Sequence, residues 1–416
     1  MPRAGQTHPA ARDARLFPSS RAPREEGKGR WVVTQDRPAQ RFTSTLSTAA
    51  REEGKKAAIE FHPLRVVDIR RETLDTVSIA FAVPPELKDA YTFTPGQHLT
   101  LRTDVGGAEC RRSYSICSGL GDGELRIAVK RVDGGVFSSW VNGELRVGNV
   151  IDVMTPQGRF GLQPEPSSAR THLAVAAGSG ITPIMSIARS ILRDEPRSRF
   201  ILLYGNRTSQ DIIFKEAIED LKDRYVERFT VHHVLSREQQ ELLVLCGRLS
   251  GEKIAALVGI RTSLNTIDHA FLCGPGGLIE GGKAALLKLG LPAERIHVEY
   301  FSTDGAPVAA RARPLPTRSR QDTPVATVQI TLNGSVHVLS MRTGETIIDA
   351  GMRHGLDMPY SCRGGMCCTC RAMLLDGEVR MSVNYSLEPW EIEAGYVLTC
   401  QSHPTTTRVV VDYDQV

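Results

Sequence analysis

Three cysteines in one short segment, with a fourth much further along the chain, constrain this sequence more than any other feature. Cys362, Cys367 and Cys370 follow the spacing C-x4-C-x2-C, and 29 residues separate Cys370 from Cys400. Clustering at such short, fixed intervals indicates a metal centre rather than a disulfide framework. The fold must therefore wrap one loop around that centre and bring Cys400 to it from a distant segment.

The arrangement of these thiolates favours iron and sulfide over zinc. Zinc sites usually combine two C-x2-C pairs, whereas here one loop carries three cysteines and the fourth stands alone. The spacing is that of a plant-type [2Fe–2S] cluster. Gly364 and Gly365 allow the loop to wrap tightly and to direct N–H groups at the sulfurs, and Cys368 is interpreted as a small residue packed beside the cluster. The predicted metal ligands are Cys362, Cys367, Cys370 and Cys400.

Composition excludes several other classes of protein. The chain has 416 residues, with 51 basic and 47 acidic side chains and a formal net charge of only +4. So small an excess gives no support for binding to nucleic acid or to a membrane surface, and no apolar run approaches the roughly 18 residues of a membrane helix. An odd number of cysteines without a secretory signal argues against disulfides. We therefore expect a cytoplasmic, multidomain protein.

Changes in sequence rhythm divide the chain into five segments. Short alternating runs such as TVSIAFAV, separated by glycine turns, indicate a small antiparallel β-barrel. Strands that alternate with helices indicate a doubly wound parallel α/β sheet. Two other stretches are poor in core-forming residues and are interpreted as a disordered extension and a linker. The predicted segments are 1–60 for the extension, 61–165 for the barrel, 166–302 for the α/β domain, 303–324 for the linker and 325–416 for a compact C-terminal domain.

Turn and helix signals predict several local elements. Asn333-Gly334, between VATVQITL and SVHVLSM, predicts a β-hairpin, and Asp376-Gly377 within RAMLLDGEVRMS predicts a second one. The run ETIIDAGMRHG predicts a short helix, and DIIFKEAIEDLKDRY predicts a longer one that begins at Asp211.

The barrel region carries the pattern of a flavin site. Arg112, Tyr114 and Ser115 fit R-x-Y-S, in which an arginine pairs with a pyrophosphate, an aromatic ring stacks on the isoalloxazine and a hydroxyl reaches flavin N5. The glycine turn before Ser138 offers N–H groups to a phosphate. As alternatives, Arg112 suits a surface charge and Tyr114 a core aromatic. The candidate flavin-binding residues are Arg112, Ser113, Tyr114, Ser115, Val129, Lys130, Gly135, Val136 and Ser138.

A glycine turn in the α/β region predicts a nucleotide site. The segment GSGITP begins at Gly178, follows an apolar strand and opens a helix, so bare N–H groups and the positive end of a helix dipole are available to a phosphate. The segment lacks the third glycine of G-x-G-x-x-G, and a tight strand–helix turn without a ligand is the alternative. The candidate residues are Gly178, Gly180 and Thr182.

Two strand ends extend this predicted site. The second strand ends in Tyr-Gly-Asn-Arg, and Arg207 suits a ribose 2′-phosphate, whereas an acidic residue there would suit a free 2′-hydroxyl. The pattern favours NADPH over NADH, although an exposed arginine is also an ordinary surface residue. Cys273, Gly274 and Pro275 end the last strand, where open sheets place ligands. Cys273 is a candidate neighbour of the nicotinamide, with a buried structural cysteine as the alternative.

With these residues taken together, the chain resembles the ferredoxin–NADP reductase superfamily over residues 61–416. The order of segments is flavin barrel, nucleotide domain and C-terminal plant-type ferredoxin, for which the resemblance implies an α+β β-grasp fold. It also implies FAD held at the R-x-Y-S residues, NADPH at Gly178 to Arg207, and Glu299 and Phe301 of V-E-Y-F as the family's E-x-F. Phe301 then covers a flavin face, although by composition alone it is a core residue. The predicted catalytic residues are Ser115, Cys273, Glu299 and Phe301.

The C-terminal stretches CRGGMCCTCRA, DGEVRMSVNYSLE and GYVLTCQSHP are similar to those of a narrower group, the reductase subunits of phenylacetyl-CoA epoxidases. Met366 replaces the valine usual before the second ligand cysteine. This resemblance implies that the electron acceptor is a separate di-iron, multisubunit oxygenase.

Electron counting predicts how the three sites work together. NADPH delivers two electrons as a hydride, a [2Fe–2S] cluster accepts one, and a flavin between them accepts the pair and releases it singly. We therefore predict an oxidoreductase that passes electrons from NADPH to FAD, then to the cluster, then to an oxygenase. Two alternatives remain: the reductase of another mono- or dioxygenase, and a redox-sensing subunit that holds the cofactors without turnover.

Overall fold

The computed structural model describes residues 60–261, 266–301 and 324–415. Within these ranges the chain forms three major sheets, each with its own hydrophobic core. Apart from Glu60 and Pro324, the predicted N-terminal extension and linker lie outside the described residues. None of the helices in the described ranges combines the length and the apolar character needed to cross a lipid bilayer.

Six antiparallel strands and one helix form the first domain. They are β1 (Phe61–Thr73), β2 (Thr76–Ala82), β3 (His98–Val105), β4 (Ala108–Ser115), β5 (Leu125–Lys130), α1 (Val136–Gly143) and β6 (Val150–Met154). The strand order is β4-β3-β6-β1-β2-β5. Beyond the end of β4, Ile116 bridges Ile127 of β5, and the Cys117 N–H donates to the Arg126 carbonyl at 2.8 Å. The two edge strands therefore meet, and the sheet curls into the predicted antiparallel barrel.

Five parallel strands with helices on both faces form the second domain. The elements are β7 (Thr171–Ala177), α2 (Ile181–Asp194), β8 (Arg199–Asn206), α3 (Lys215–Arg224), β9 (Phe229–Leu235), α4 (Gly251–Arg261), β10 (His269–Gly274), α5 (Gly276–Lys288) and β11 (Ile296–Tyr300). The order is β11-β10-β7-β8-β9. Since the order of strands reverses between β7 and β10, open sheets of this kind bind ligands at the carboxyl ends of these two strands.

The helix α3 begins later than its sequence pattern predicts. It starts at Lys215, not at Asp211. Asp211 instead closes a capping box with Thr208 around a short 3₁₀ turn, and Phe214 adopts a left-handed conformation with φ 61°. Ile212 and Ile213 are buried in the core before the helix starts, so their apolar character reflects a buried loop rather than a helix face.

The third domain is a mixed sheet with a helix packed against it. Its elements are β12 (Pro324–Leu332), β13 (Ser335–Arg342), α6 (Ile347–Arg353), β14 (Arg371–Asp376), β15 (Val379–Met381), α7 (Pro389–Glu393), β16 (Tyr396–Leu398), β17 (Ser402–Pro404) and β18 (Arg408–Asp412). The order β13-β12-β18-β14-β16 has β12 and β18 parallel and the other neighbours antiparallel. The three domains confirm the predicted fold class of antiparallel barrel, parallel α/β sheet and α+β ferredoxin.

One of the two predicted hairpins is present and the other is wrong. Leu332 and Ser335 pair across the turn at Asn333-Gly334, both of which have positive φ. In contrast, β14 and β15 do not pair with each other, because β14 lies in the main sheet and β15 pairs with β17. A Cβ on Gly377 would lie 2.2 Å from the Arg408 carbonyl oxygen, so this glycine is required where two backbones cross.

Candidate active site and metal centre

The four predicted metal ligands come together at one end of the third domain. The loop between α6 and β14 carries Cys362, Cys367 and Cys370, and Cys400 follows β16. The sulfur of Cys362 lies within hydrogen-bond reach of that of Cys367, and Cys370 is paired in the same way with Cys400. In the described part of the chain, no three His, Cys, Asp or Glu side chains converge on one ion position. Two pairs of thiolates fit the four-cysteine ligand set of a two-iron cluster.

Nitrogen donors surround these sulfurs. The N–H groups of Gly364 and Met366 donate to the Cys362 sulfur at 3.3 and 3.4 Å. The side-chain amide of Gln401 donates to the Cys400 sulfur at 3.5 Å. Hydrogen bonds of this kind stabilise negative charge on sulfur, and they are the feature that a thiolate-bound cluster needs.

Cys368 lies between two of these ligands but is packed differently. Its backbone has φ 55°, and its side chain packs, partly buried, against the core of the domain. Burial raises the pKa of the Cys368 thiol to about 11, so the group is neutral at physiological pH. The packing agrees with its interpretation as a residue beside the cluster rather than a ligand.

Strand β4 connects the barrel to the end of the parallel sheet. The rings of Tyr114 and Phe137 lie 5.8 Å apart on the side of α1. The hydroxyl of the next residue, Ser115, donates to the Glu299 carboxylate of β11 at 3.2 Å. The structure therefore joins Ser115 of the R-x-Y-S pattern to Glu299 of the E-x-F pattern, while Tyr114 faces α1.

The glycine turn before α1 is closed by Ser138 itself. The Ser138 hydroxyl accepts from the Val132 N–H at 3.1 Å and donates to the Gly135 carbonyl at 3.3 Å. Helix α1 starts at Val136 without a side-chain cap, so its first N–H groups remain available to a phosphate. Val129 lies in the barrel core with no exposed surface.

Burial controls the ionisation of two neighbouring groups at the end of the parallel sheet. Cys273 and Glu299 are register partners on β10 and β11. Burial raises the pKa of Glu299 to about 8, against the hydrogen bond from Ser115, and the nearby Cys367 adds to the rise. Burial and the Glu299 charge also raise the pKa of Cys273 well above its usual value. Both side chains are therefore mainly protonated at neutral pH.

A cleft of about 1420 Å³ opens where the strand order reverses. The residues of the sequence prediction that line it are Lys130, Gly178, Arg207, Gly274, Pro275 and Phe301. Helix α2 begins beside it without a side-chain cap. A nucleotide with several phosphates fits such a cleft, because uncapped N–H groups and a basic side chain face the same space.

Two predicted nucleotide residues shape the turn rather than the cleft. A Cβ on Gly180 would lie 2.2 Å from the Cys273 carbonyl oxygen, so glycine is required for β7 and β10 to approach the turn. Thr182 is buried, and its hydroxyl donates to the Ser179 carbonyl at 3.0 Å. The alternative interpretation of these residues, a tight strand–helix turn, accounts for both side chains.

Several polar residues of the cleft were missed by the sequence analysis, three of them close to Arg207 in the lining. Asn206, Ser236 and Arg248 line the cleft beside Arg207. Asn206 is the last residue of β8, and Ser236 directly follows β9. A position at the carboxyl end of a strand is the sequence signal that could have identified both. Arg248 lies in an irregular segment before α4 and has no comparable signal.

Three protein-family models match the chain, one for each sheet. The oxidoreductase FAD-binding domain matches residues 63–161, the oxidoreductase NAD-binding domain matches 174–283, and the 2Fe-2S iron-sulfur cluster binding domain matches 330–405. These matches confirm the predicted cofactor classes: FAD, a nicotinamide nucleotide and a [2Fe–2S] cluster.

Curated relatives match nearly their whole length. The chain is 45% identical to a subunit of 1,2-phenylacetyl-CoA epoxidase from Escherichia coli (strain K12), over 85% of this chain and 98% of that protein. It is 36% identical to the ferredoxin reductase component of 3-ketosteroid-9-alpha-monooxygenase from Rhodococcus rhodochrous, over 84% and 96%. It is 29% identical to the glycine betaine monooxygenase reductase subunit of Pseudomonas aeruginosa (strain UCBPP-PA14), over 85% and 95%.

Solved structures share the three-domain fold. Phthalate dioxygenase reductase aligns with a TM-score of 0.52 and 23% identity, over 85% of this chain and 98% of that one. An intact type IV self-sufficient cytochrome P450 monooxygenase aligns with a TM-score of 0.60 and 20% identity, over 84% of this chain and 41% of that one. With the relatives above, these findings confirm the predicted resemblance: the chain belongs to the family of flavin- and [2Fe–2S]-containing oxidoreductases that serve as the reductase components of oxygenases.

Proposed function

We propose that this chain takes a hydride from NADPH and delivers electrons singly to the di-iron, multisubunit oxygenase that epoxidises phenylacetyl-CoA. The observation that carries the proposal is the position of Glu299. Its carboxyl group accepts from Ser115 of the flavin strand, lies close enough to Cys367 for the two to interact electrostatically, and is two residues from Phe301 in the nucleotide cleft. The Glu299 side chain therefore links the proposed flavin strand to the proposed cluster loop, and the same strand end continues to Phe301 of the cleft.

The residues proposed for FAD are those of the R-x-Y-S strand and the turn before α1. Tyr114 offers a ring for stacking, Arg112 a guanidinium for the pyrophosphate, and the α1 N-terminus its free N–H groups. When bound, FAD accepts two electrons together and passes them on one at a time. Phe301 lines the cleft and would shield a bound flavin from water on that side.

Basic and hydroxyl side chains at the cleft favour NADPH as the donor. Arg207 and Arg248 line the cleft together with Ser236, and an arginine pairs with a phosphate through two parallel hydrogen bonds. Asp211 also lines the cleft, and its Oδ2 accepts from the N–H and the hydroxyl of Thr208 at 3.0 and 2.7 Å. We therefore assign the ribose 2′-phosphate to the arginine side of the cleft.

Glu299 is proposed to hold a proton where the electrons arrive. Because burial keeps its pKa near 8, the carboxyl group is mainly neutral at physiological pH and adds no negative charge beside the flavin or the cluster. Cys273, on the next strand, is likewise a neutral thiol. Cys273 has no exposed surface and lies in the hydrophobic core, so the two groups would keep the protein interior beside the flavin site uncharged.

The cluster is proposed to bind at Cys362, Cys367, Cys370 and Cys400 and to be the exit point for electrons. The similarity to a 1,2-phenylacetyl-CoA epoxidase subunit supports this acceptor. The relatives that serve steroid and betaine monooxygenases favour a second candidate, the reductase of another oxygenase. Free thiolates of this kind suit a reducing compartment, so we place the reaction in the cytoplasm.

The test is turnover with defined acceptors. The purified chain, with FAD and cluster content measured, is given NADPH and either cytochrome c or a purified di-iron phenylacetyl-CoA oxygenase complex. Sustained cytochrome c reduction and product formation by the oxygenase are expected. Absence of sustained reduction would favour a sensing subunit, and turnover with cytochrome c but not with the oxygenase would identify a different partner.

A further inference from the structure

The strand that carries the R-x-Y-S residues presents a second set of side chains. Successive side chains of a strand point to opposite faces, so Arg112 and Tyr114 of β4 alternate with Arg111, Ser113 and Ser115. Ser115 hydrogen bonds to Glu299 of the parallel sheet. The other two residues of this second face reach the C-terminal domain, at the segment that leads into the first cluster ligand.

Arg111 contacts this segment at three points. Its Nη2 donates to Asp357 Oδ1 at 2.8 Å, and its Nη1 donates to the Met358 carbonyl at 3.3 Å. Its guanidinium also lies 4.4 Å from the centre of the Tyr360 ring. Only 7% of the Arg111 side chain is exposed. A planar guanidinium held by a carboxylate, a carbonyl and a ring fixes the orientation of the partner as well as its distance.

A hydrogen bond between two serines continues the contact toward the cofactors. The Ser113 hydroxyl, two residues beyond Arg111, donates to the Ser361 hydroxyl at 2.7 Å. Ser113 precedes Tyr114 of the flavin site, and Ser361 precedes Cys362 of the cluster site. Along β4, the contacting residues therefore lead toward the proposed flavin site. Along segment 357–361, they lead toward the proposed cluster site.

The contact is polar and open to water on one side. A groove of about 1000 Å³ runs between the barrel and the C-terminal domain, and Asp357 and Arg102 line it. Arg102 donates to the second oxygen of Asp357 at 3.2 Å, and 64% of the Asp357 side chain is exposed. Interfaces of this type within a chain are usually reversible, so their geometry depends on a few well-formed hydrogen bonds.

We propose that Arg111 is a positioning residue for electron transfer inside the chain, which acts by gripping Asp357 and the adjacent segment and so fixing the distance between the cluster and the flavin. The inference deepens the proposed function and rests on it, because it assumes that FAD lies on β4 and the cluster in the Cys362 loop. Arg111 is not among the residues proposed to bind either cofactor. It acts through the segment 357–361, whose last residue adjoins a cluster ligand.

The test compares Asp357→Asn with a matched control, Asp376→Asn, in the cofactor-loaded full chain. Asp376 also pairs with an arginine, Arg408, but that ion pair is exposed and lies within the C-terminal domain. Anaerobic stopped-flow mixing with NADPH resolves flavin reduction from cluster reduction by absorbance. Hydrogen exchange of the backbone amides in segment 357–362 gives a readout that does not depend on activity.

For Asp357→Asn we expect unchanged flavin reduction, cluster reduction slowed about three- to tenfold, and faster amide exchange in the segment. Arg111→Lys keeps the positive charge but loses the planar guanidinium, and with it the paired hydrogen bonds and the contact with the Tyr360 ring. It should therefore show the same unchanged flavin reduction, slower cluster reduction and faster amide exchange. Asp376→Asn should match the unmodified chain. Equal cluster-reduction rates and equal exchange in Asp357→Asn and Asp376→Asn would overturn the proposal for Arg111. Failure of NADPH to reduce the flavin in the unmodified chain would instead overturn the proposed function.

Discussion

The cluster loop and the nucleotide cleft are assembled in opposite ways. Three of the four proposed cluster ligands lie within one loop, and the donors to their sulfurs are near neighbours such as Gly364 and Met366. The cleft instead draws on the ends of separate strands and helices, from Gly178 to Phe301. A locally encoded site depends on a few side chains of fixed chemistry, whereas a site built by the fold distributes its binding over many weaker contacts.

The largest effect is expected from a substitution that destroys the cluster site, which is the locally encoded one. Cys367→Ser should abolish the [2Fe–2S] cluster and all electron transfer beyond the flavin, because one of four thiolate ligands is lost. Cys368→Ser, one residue away, is the control and should retain the cluster, since a small, partly buried thiol is replaced by a small hydroxyl. Iron and sulfide content and the visible spectrum are the measurements. Retention of the cluster in Cys367→Ser would remove the basis for the proposed ligand set.

The next effect concerns one contact of the distributed site. Arg207→Ala should raise the KM for NADPH about ten- to hundredfold and leave the KM for NADH unchanged, because a charged hydrogen bond to a phosphate is lost. Arg199→Ala, at the opposite end of β8, is the matched control. Steady-state kinetics with both donors is the measurement, and an equal rise for NADH would show that Arg207 does not read the 2′-phosphate.

A smaller effect is expected from Glu299, which lies close to Cys367 of the cluster loop and two residues from Phe301 of the nucleotide cleft. Burial raises the pKa of Glu299 from 4.5 to about 8, so the protonated form dominates below that pH and is lost as pH rises through it. We expect electron transfer to the cluster to slow a few-fold between about pH 7 and 9, because the new carboxylate repels arriving electrons.

Glu299→Gln should remove this pH dependence while keeping the shape of the side chain. Glu294→Gln, on the surface just before β11, should keep it. The measurement is the rate of cluster reduction as a function of pH in stopped-flow experiments. A pH profile that is unchanged in Glu299→Gln would assign the titration to another group.

The smallest expected effect is on the acid stability of the sheet that carries the cleft, and it does not involve the cluster loop. At the amino ends of the strands of this sheet, the His269 ring stacks on His172 with the ring centres 5.6 Å apart and hydrogen bonds to His297 at 3.1 Å. Burial lowers the pKa of His269 to about 4, so the folded state binds fewer protons than the unfolded state between pH 6.5 and 4. Stability from this group is present above pH 6.5 and is lost as the pH falls toward 4.

His269→Gln should therefore reduce the loss of Tm between pH 7 and 5 by about 3 °C. His354→Gln, at an exposed histidine, is the control and should leave that loss unchanged. Differential scanning calorimetry at the two pH values is the measurement. An identical loss of Tm in both variants would show that the buried histidine does not contribute to acid sensitivity.

The same contrast explains what the sequence could predict. The Asn333-Gly334 hairpin depends on neighbours a few residues apart, and this prediction agrees with the structure. The spacing of Cys362, Cys367 and Cys370 is equally local, and their role as cluster ligands stays a prediction. The prediction of a hairpin at Asp376-Gly377 was wrong because Gly377 is required for a different reason: the backbone of Arg408 crosses close to it. The predicted start of α3 was wrong because the buried loop that precedes the helix is as apolar as the buried face of a helix.

The contacts that join the domains lay beyond sequence reasoning. Arg111 and Asp357 are 246 residues apart in the chain, and nothing local distinguishes either from an ordinary surface charge. Arg248 lies in an irregular segment before α4 and lines the cleft only through the complete fold. Pairings of this kind follow from the complete fold, and a single sequence carries no periodic signal for them.

An anaerobic titration of the purified chain tests the central claim most directly. Reducing equivalents from NADPH are added stepwise while the flavin and cluster are followed by absorbance and electron paramagnetic resonance. We predict uptake of two electrons by the flavin and one by the cluster, with one reduced cluster signal per chain at the end. A chain that takes up only the flavin's pair, with its cluster left oxidised, would contradict this electron path.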